Sequence, residues 1–292
     1  MSDLEQRLRH TAQEVGGVRL HVVEAGSTDG PPVVLLHGFP EFWYGWRRQI
    51  GPIADAGFRV IVPDQRGYNT SEKPRPRSAY NLDLLARDVV GLLDSFGLER
   101  ASLVGHDWGG VVAWWVAARH PERVRKLAIL NAPHPIAFRR FIKKSPRQVL
   151  KSWYAFFFQV PRLPESLFGL RDWALLKRAL RRTSRPGAFT DADLGEYARA
   201  WSQPGAMSAM INWYRAPPPD TSQDAEARIA APTLIVWGAR DHALDRRLAE
   251  ESLARCDQGR LEFLEEATHW VQHEEPERVN RLLLDFLRSE TG

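Results

Sequence analysis

Five short apolar runs, at residues 33–36, 59–62, 102–104, 127–130 and 233–237, leave this chain few ways to fold. They are rich in Val, Ile and Leu without polar alternation, the pattern of strands buried on both faces of a parallel sheet. Segments of helical period separate or follow them, at 82–96, 109–119, 246–254 and 276–287. Two extended segments, 11–15 and 18–24, precede them, with Gly16-Gly17 as the hairpin turn. Strand alternating with helix predicts an α/β protein built on a mostly parallel, doubly wound sheet. The alternation breaks between residues 134 and 228, a stretch that is aromatic-rich, basic and mostly helical in pattern and that closes in Pro217-Pro218-Pro219. The expected organisation is therefore a discontinuous core, 1–133 and 229–292, with a helical lid over 134–228. Such a lid covers the carboxyl ends of the strands, where open α/β sheets bind ligands.

The run ending at Val104 leads into Gly105-His106-Asp107-Trp108-Gly109-Gly110, between a buried strand and a helix. A sharp strand-to-helix turn needs glycines two residues either side of its centre, and it displays the central side chain at the start of the next helix. Serine is the usual occupant; here it is Asp107. A carboxylate needs no base to become a nucleophile at neutral pH. Attack on an ester carbonyl would give an anhydride and gain little. Attack on an sp³ carbon that carries a leaving group gives a stable alkyl ester, which water then cleaves. The competing structural role for Asp107 is to cap the following helix.

Cleavage of that ester needs a base and a group to orient it. In this arrangement the chain order is nucleophile, acid, histidine. Asp241 follows the run at 233–237, and His269 follows the final apolar segment at 260–264, in the loop before the last helix. His273 rivals His269 from the start of that helix, and Asp245 rivals Asp241 but suits a helix cap better. His37, His106 and His134 read as structural hydrogen-bonders. The backbone N–H groups of Phe39, in His37-Gly38-Phe39-Pro40, and of Trp108 form the expected oxyanion hole.

With those residues assembled, the chain strongly resembles the epoxide hydrolases of the α/β-hydrolase fold. The resemblance rests on His37-Gly38-Phe39-Pro40-Glu41-Phe42-Trp43-Tyr44, Asp64-Gln65-Arg66-Gly67-Tyr68, the Asp107 turn, Asn212-Trp213-Tyr214-Arg215 and the Asp241 and His269 loops, and covers nearly the whole length. Thr268 stands where the family often has glycine. The resemblance implies Asp107 as nucleophile, Asp241 as orienting acid and His269 as base. It further places the proton donors to the epoxide oxygen on Tyr154, in an aromatic segment before Gln159 and Pro161, and on Tyr214; Tyr197 has no such context. Haloalkane dehalogenases share the fold and the Asp-Trp pair. A halide leaves as a stable anion and needs only N–H donors, whereas an opening epoxide leaves as a strongly basic alkoxide and needs an acid, which tyrosine supplies. Phe39 also occupies a position where many dehalogenases carry a halide-binding asparagine. Fluoroacetate dehalogenases fit less well, because their lid His-Trp pair would fall on Tyr154-Ala155. A third possibility, a non-catalytic small-ligand binder on the same fold, predicts a damaged triad, and this one is intact.

Composition refines that expectation. Several of the 11 Trp, 6 Tyr and 13 Phe adjoin the candidate groups, while others such as Trp114 and Trp115 read as core; this predicts a lipophilic pocket walled by Trp108, Trp153, Phe157, Trp213 and Trp270. Cys256 is the lone cysteine, which excludes an internal disulfide and any multi-cysteine metal site. No cofactor and no metal are expected; the partners are a small epoxide and water. The net charge of +4 is uneven, since residues 134–228 hold sixteen Lys/Arg against eight Asp/Glu. Paired cations along helices read as solvated faces rather than a nucleic-acid or lipid site. No apolar run is long enough to span a membrane, and the first residues lack a signal-peptide core, so a cytoplasmic setting is the default expectation.

Overall fold

The computed structural model describes residues 3–219 and 228–289. Eight strands form one sheet: β1 (Arg9–Val15), β2 (Val18–Ala25), β3 (Pro32–Leu36), β4 (Arg59–Pro63), β5 (Ala101–His106), β6 (Val124–Leu130), β7 (Thr233–Gly238) and β8 (Gly259–Leu264). Their order is β1-β2-β4-β3-β5-β6-β7-β8. β2 runs antiparallel to β1 and β4, and every pairing from β4 to β8 is parallel. The apolar runs are these strands, and the reason is burial: every residue of β5 and β7 is buried, as is all of β3 but Pro32. Gly16 and Gly17 both take positive φ, as a two-residue hairpin turn requires.

Two helix pairs pack against the sheet, Leu82–Ser95 with Trp108–Arg119 and Arg47–Asp55 with Pro276–Arg288. Asn81 caps the first, its side chain accepting from the Leu84 amide at 2.9 Å. Trp108–Arg119 is buried nearly all round. Its Trp114 and Trp115 indoles donate to Ala132 O and Asp83 Oδ1 at 3.0 and 2.8 Å, so burial leaves neither N–H unpaired. Helix Arg47–Asp55 was not legible in the sequence, because Gly51 and Pro52 interrupt its pattern.

Between β6 and β7 the described residues form seven helices and no strand, from Pro135–Ile142 to Ala206–Arg215. This is the inserted helical region. The expected lid segment at 220–227 lies outside the described residues. Buried hydrogen bonds dock the insertion on the core, among them Tyr197 OH to Glu41 Oε1 at 2.6 Å, Trp201 Nε1 to Pro40 O at 2.6 Å, and Trp213 Nε1 to Arg66 O at 3.0 Å. Arg66 is itself held by a bidentate pair with buried Asp88, at 2.7 and 2.6 Å. The sheet reverses direction of growth between β3 and β5, and such a switch point opens a crevice at the strand ends.

Candidate active site

Register places the loops that meet in that crevice. Leu36 of β3 pairs with Gly105 of β5, so the chain leaves both strands side by side. Asp107 follows β5 at φ +49° and ψ −124°, a strained conformation for a residue with a side chain. The glycines around it are steric necessities: a Cβ on Gly105 would meet Gly109 O, one on Gly109 would strike Leu36 O, and one on Gly38 would strike Asp107 itself. Because Gly38 allows that approach, the Phe39 N–H donates to Asp107 Oδ1 at 2.8 Å. One carboxylate oxygen is held by backbone, and Oδ2 faces the base.

His269, the base expected from the sequence, has its Nε2 3.6 Å from Asp107 Oδ2. Its Nδ1 is 2.7 Å from Asp241 Oδ2. Asp241 follows β7, and its buried carboxylate is saturated. Oδ2 also accepts from Asn131 Nδ2 at 2.7 Å, and Oδ1 accepts from the Ala243 and Leu244 amides at 2.7 and 2.9 Å. Burial pushes the Asp241 carboxyl up, but His269, Asn131 and the Leu244 amide outweigh it and hold it below the usual carboxylate range. His269 responds in kind. Burial works against its charged form, yet Asp241 and Asp107 together raise it to about 10. Asn131 was not singled out in the sequence; an asparagine directly after the β6 run, at φ +42°, is the signal that marks it. Its Oδ1 accepts from Gly238 N, which ties β6 to the Asp241 loop.

Behind the base lies a buried polar cluster that the sequence did not reveal. His106 Nε2 donates to the His269 carbonyl at 2.9 Å, and its Nδ1 is 3.1 Å from Glu41 Oε2. Glu41 also takes Tyr197 OH, His273 Nε2 at 2.7 Å and Gln272 Nε2 at 3.1 Å. Burial pushes the Glu41 carboxyl up, and His273 and His106 bring it well below the ordinary range. His273 is thus a structural partner of Glu41 in a short helix of its own, Val271–Glu274, ahead of the last helix. His37 and His134 are structural too: His37 Nε2 accepts from the Gln65 amide at 3.0 Å, and His134 Nδ1 from the Ile136 amide at 3.2 Å.

Across the crevice, a cavity of about 370 Å³ is lined by Asp107 and Trp108 from the core and by Tyr154, Trp213 and Tyr214 from the insertion. The Tyr154 and Tyr214 rings meet edge to face at 6.0 Å. Gln159 fastens their segments, donating to Ala155 O at 3.1 Å and Tyr214 O at 2.9 Å. Burial first, and Asp107 second, raise both phenols above their ordinary pKa, so each keeps its proton.

Comparison with known proteins agrees with this arrangement. Residues 31–276 match the family model described as alpha/beta hydrolase fold. The chain is 46% identical over 274 residues to the AB hydrolase superfamily protein YfhM of Bacillus subtilis, covering 94% of this chain and 96% of that one. It is 41% identical to human Epoxide hydrolase 4, covering 94% of this chain and 77% of the relative. The chain belongs to the epoxide hydrolases of the α/β-hydrolase fold. Among solved structures, a variant of an epoxide hydrolase from Bacillus megaterium superposes with a TM-score of 0.87 at 30% identity, over 96% of this chain and all of that one. Another variant of that enzyme, at 29% identity and the same TM-score and coverage, holds its naphthyloxy-propanediol product.

In this epoxide hydrolase the expected pocket wall is only partly realised. Trp108 and Trp213 line the cavity, and Trp213 is pinned there by its bond to Arg66 O. Trp153 does not; it sits on the outer side of helix Trp153–Phe157, exposed. Phe157 packs between Trp153 and Phe168 instead of lining the cavity. Trp270 stands perpendicular to the His269 ring at 5.1 Å and donates to Thr183 Oγ1, buttressing the base. The lining is completed by residues no motif marked, among them Val111, Phe138, Ile142 and the prolines at 217–219. Among the described residues, no group of three or more His, Cys, Asp or Glu is arranged to hold a metal ion, and no helix is long and apolar enough to cross a membrane.

Proposed function

We propose that Asp107 opens a lipophilic epoxide while Tyr154 and Tyr214 hold and protonate the ring oxygen, and that His269 then drives hydrolysis of the resulting ester to a vicinal diol. The observation that supports this reading is that Asp107 and both tyrosines line one cavity. Asp107 Oδ1 is occupied by the Phe39 N–H, so Oδ2 is the attacking atom. As the new C–O bond forms, the ring C–O bond breaks and its electron pair goes to the ring oxygen, which takes a tyrosine proton. A protonated phenol is the form needed, and the upward shift of both tyrosines maintains it.

The same ester changes the base. His269 is raised to about 10 by two carboxylates. Alkylation neutralises Asp107, and the imidazole loses one of the charges that held its proton. Its proton is then held less firmly, which shifts the ring toward the neutral form that a base requires. His269 Nε2 takes a proton from water, and the hydroxide adds to the Asp107 carbonyl. The oxyanion forms on Oδ1 at the Phe39 N–H, with the Trp108 N–H as the second donor, each worth about 3 kcal/mol of barrier. Collapse expels the diol oxygen, which takes the proton from His269, and the carboxyl proton left on Asp107 passes through water to the tyrosinate, restoring both groups. The aromatic walls suit an apolar epoxide, in keeping with the aryl diol held by the Bacillus megaterium relative.

A single turnover of styrene oxide in ¹⁸O-water tests the sequence of bonds. Label is expected in the Asp107 carboxylate and absent from the first diol released; label directly in that diol would overturn the ester mechanism. Dehalogenation is the lesser reading. Asn131 lines the cavity, but its amide is committed to Asp241 and Gly238, and Phe39 offers no side-chain donor. Release of halide from a chloroalkane at a rate matching epoxide opening would reverse that preference.

A further inference from the structure

The outer surface of the lid is unlike the rest of the molecule. Among the described residues, all eight exposed large hydrophobic side chains lie between Val149 and Leu175, led by Leu150 at 75%, Trp153 at 64%, Phe156 at 60% and Leu170 at 58% exposed. Isolated exposed hydrophobics need no explanation, but their confinement to one segment does. The segment is continuous in space. Helix Pro146–Lys151 packs on Trp153–Phe157, and Leu163–Gly169 on Ala174–Thr183. Phe157 joins the two halves through ring contacts with Trp153 at 6.2 Å and Phe168 at 6.3 Å.

The same segment is strongly cationic. Residues 139–182 contain twelve Lys/Arg and only two acids, Glu165 and Asp172. Both acids are already paired, with Arg215 and Lys177 respectively. Arg140, Lys143, Lys144, Arg147, Arg162 and Arg178 are all exposed. The cavity reaches this face, because Phe156 is at once a lining residue and largely exposed. A two-fold dimer through the same face would bring two cationic rims together, which opposes self-association. An anionic lipid surface meets both features: cations seek its headgroups, and Trp, Phe and Leu settle at the headgroup–acyl boundary.

We propose that this lid face docks the enzyme peripherally on anionic lipid bilayers, with the Phe156 rim of the cavity at the lipid–water boundary. The test is sedimentation of the full chain with phosphatidylcholine vesicles in which about a quarter of the lipid is phosphatidylglycerol. Binding is expected to these vesicles, and to be lost with pure phosphatidylcholine and at about 0.5 M salt. Leu150→Gln/Leu170→Gln and Lys143→Glu/Lys144→Glu should each weaken partitioning at least about tenfold. Unchanged circular dichroism and unchanged turnover of a water-soluble epoxide would show that the variants remain folded. Failure to sediment with the anionic vesicles overturns the proposal, as does undiminished binding by both variants. So does a dimer, seen by sedimentation velocity, that Leu150→Gln/Leu170→Gln dissolves. None of these readings depends on the catalytic mechanism.

Discussion

The two walls of the cavity are built by different forces. On the core side directional bonds hold all three candidate residues: Asp107 Oδ1 by the Phe39 amide, Asp241 by four donors, and His269 by Asp241 on its ring and His106 on its backbone. On the lid side Gln159 ties the Tyr214 backbone, but the tyrosine rings are set mainly by packing. Tyr214 meets Phe39, Trp108 and Phe158 edge to face at 5.4, 5.1 and 4.8 Å, and Tyr154 meets Phe158 at 5.9 Å. Hydrogen bonds fix an angle, whereas packing fixes a position and tolerates repacking. The steps that every substrate shares are thus assigned to the rigid wall, and the steps that depend on substrate shape to the adaptable one.

Mutations can break this contrast in order of severity. Asp107→Ala should lower kcat by about 10⁴-fold or more; appreciable epoxide turnover in the variant would remove the core wall from the chemistry. His269→Gln should leave ring opening intact and block ester cleavage, so that the protein gains the mass of the epoxide, visible in intact-protein mass spectra. Tyr154→Phe and Tyr214→Phe should each slow alkylation by about 10²-fold, the low end for a general acid. The double variant should lose far more, and hydrolysis of a preformed ester should be unaffected in rapid-quench measurements. Equal slowing of both half-reactions would dissolve the division between the walls.

A smaller effect falls on the cluster behind the base. Glu41→Gln leaves buried donors poorly matched and should cost roughly 2–4 kcal/mol in denaturant titration. The mildest test is of pH. The folded-state pKa of His269, about 10, lies above the unfolded value of 6.5. Its contribution to stability is therefore complete below 6.5 and disappears as pH rises through about 10. Asp107→Asn should lower the folded value and flatten that decline in thermal melts.

Much of the rigid wall was legible in the sequence, because strand ends carry signals of their own. The runs before Asp107 and Asp241 are buried along their whole length, the run before His269 is marked by its place as the last strand, and the glycines at 105 and 109 are imposed by backbone contact. The adaptable wall was less so. Trp153 and Phe157 sit on one short helix, and whether a side chain faces the cavity depends on how a five-residue turn packs between neighbours, which local pattern does not encode. Trp270 adjoins His269 in sequence but faces Phe189 and His106 as well as the base. Glu41 escaped notice for a related reason. Its partners Tyr197, His106, Gln272 and His273 are 65 to 232 residues away along the chain.

The turn that carries Asp107 has one more consequence. Its shape is set by Gly105 and Gly109 and by the strand register, and none of these contacts depends on which atoms lie beyond Cβ at position 107. The scaffold is a socket indifferent to its plug. Exchanging the reactive group there redirects the chemistry without redesigning the frame, so a single codon separates an enzyme that alkylates itself from one that would acylate itself, and evolution can cross between them without first unfolding the protein.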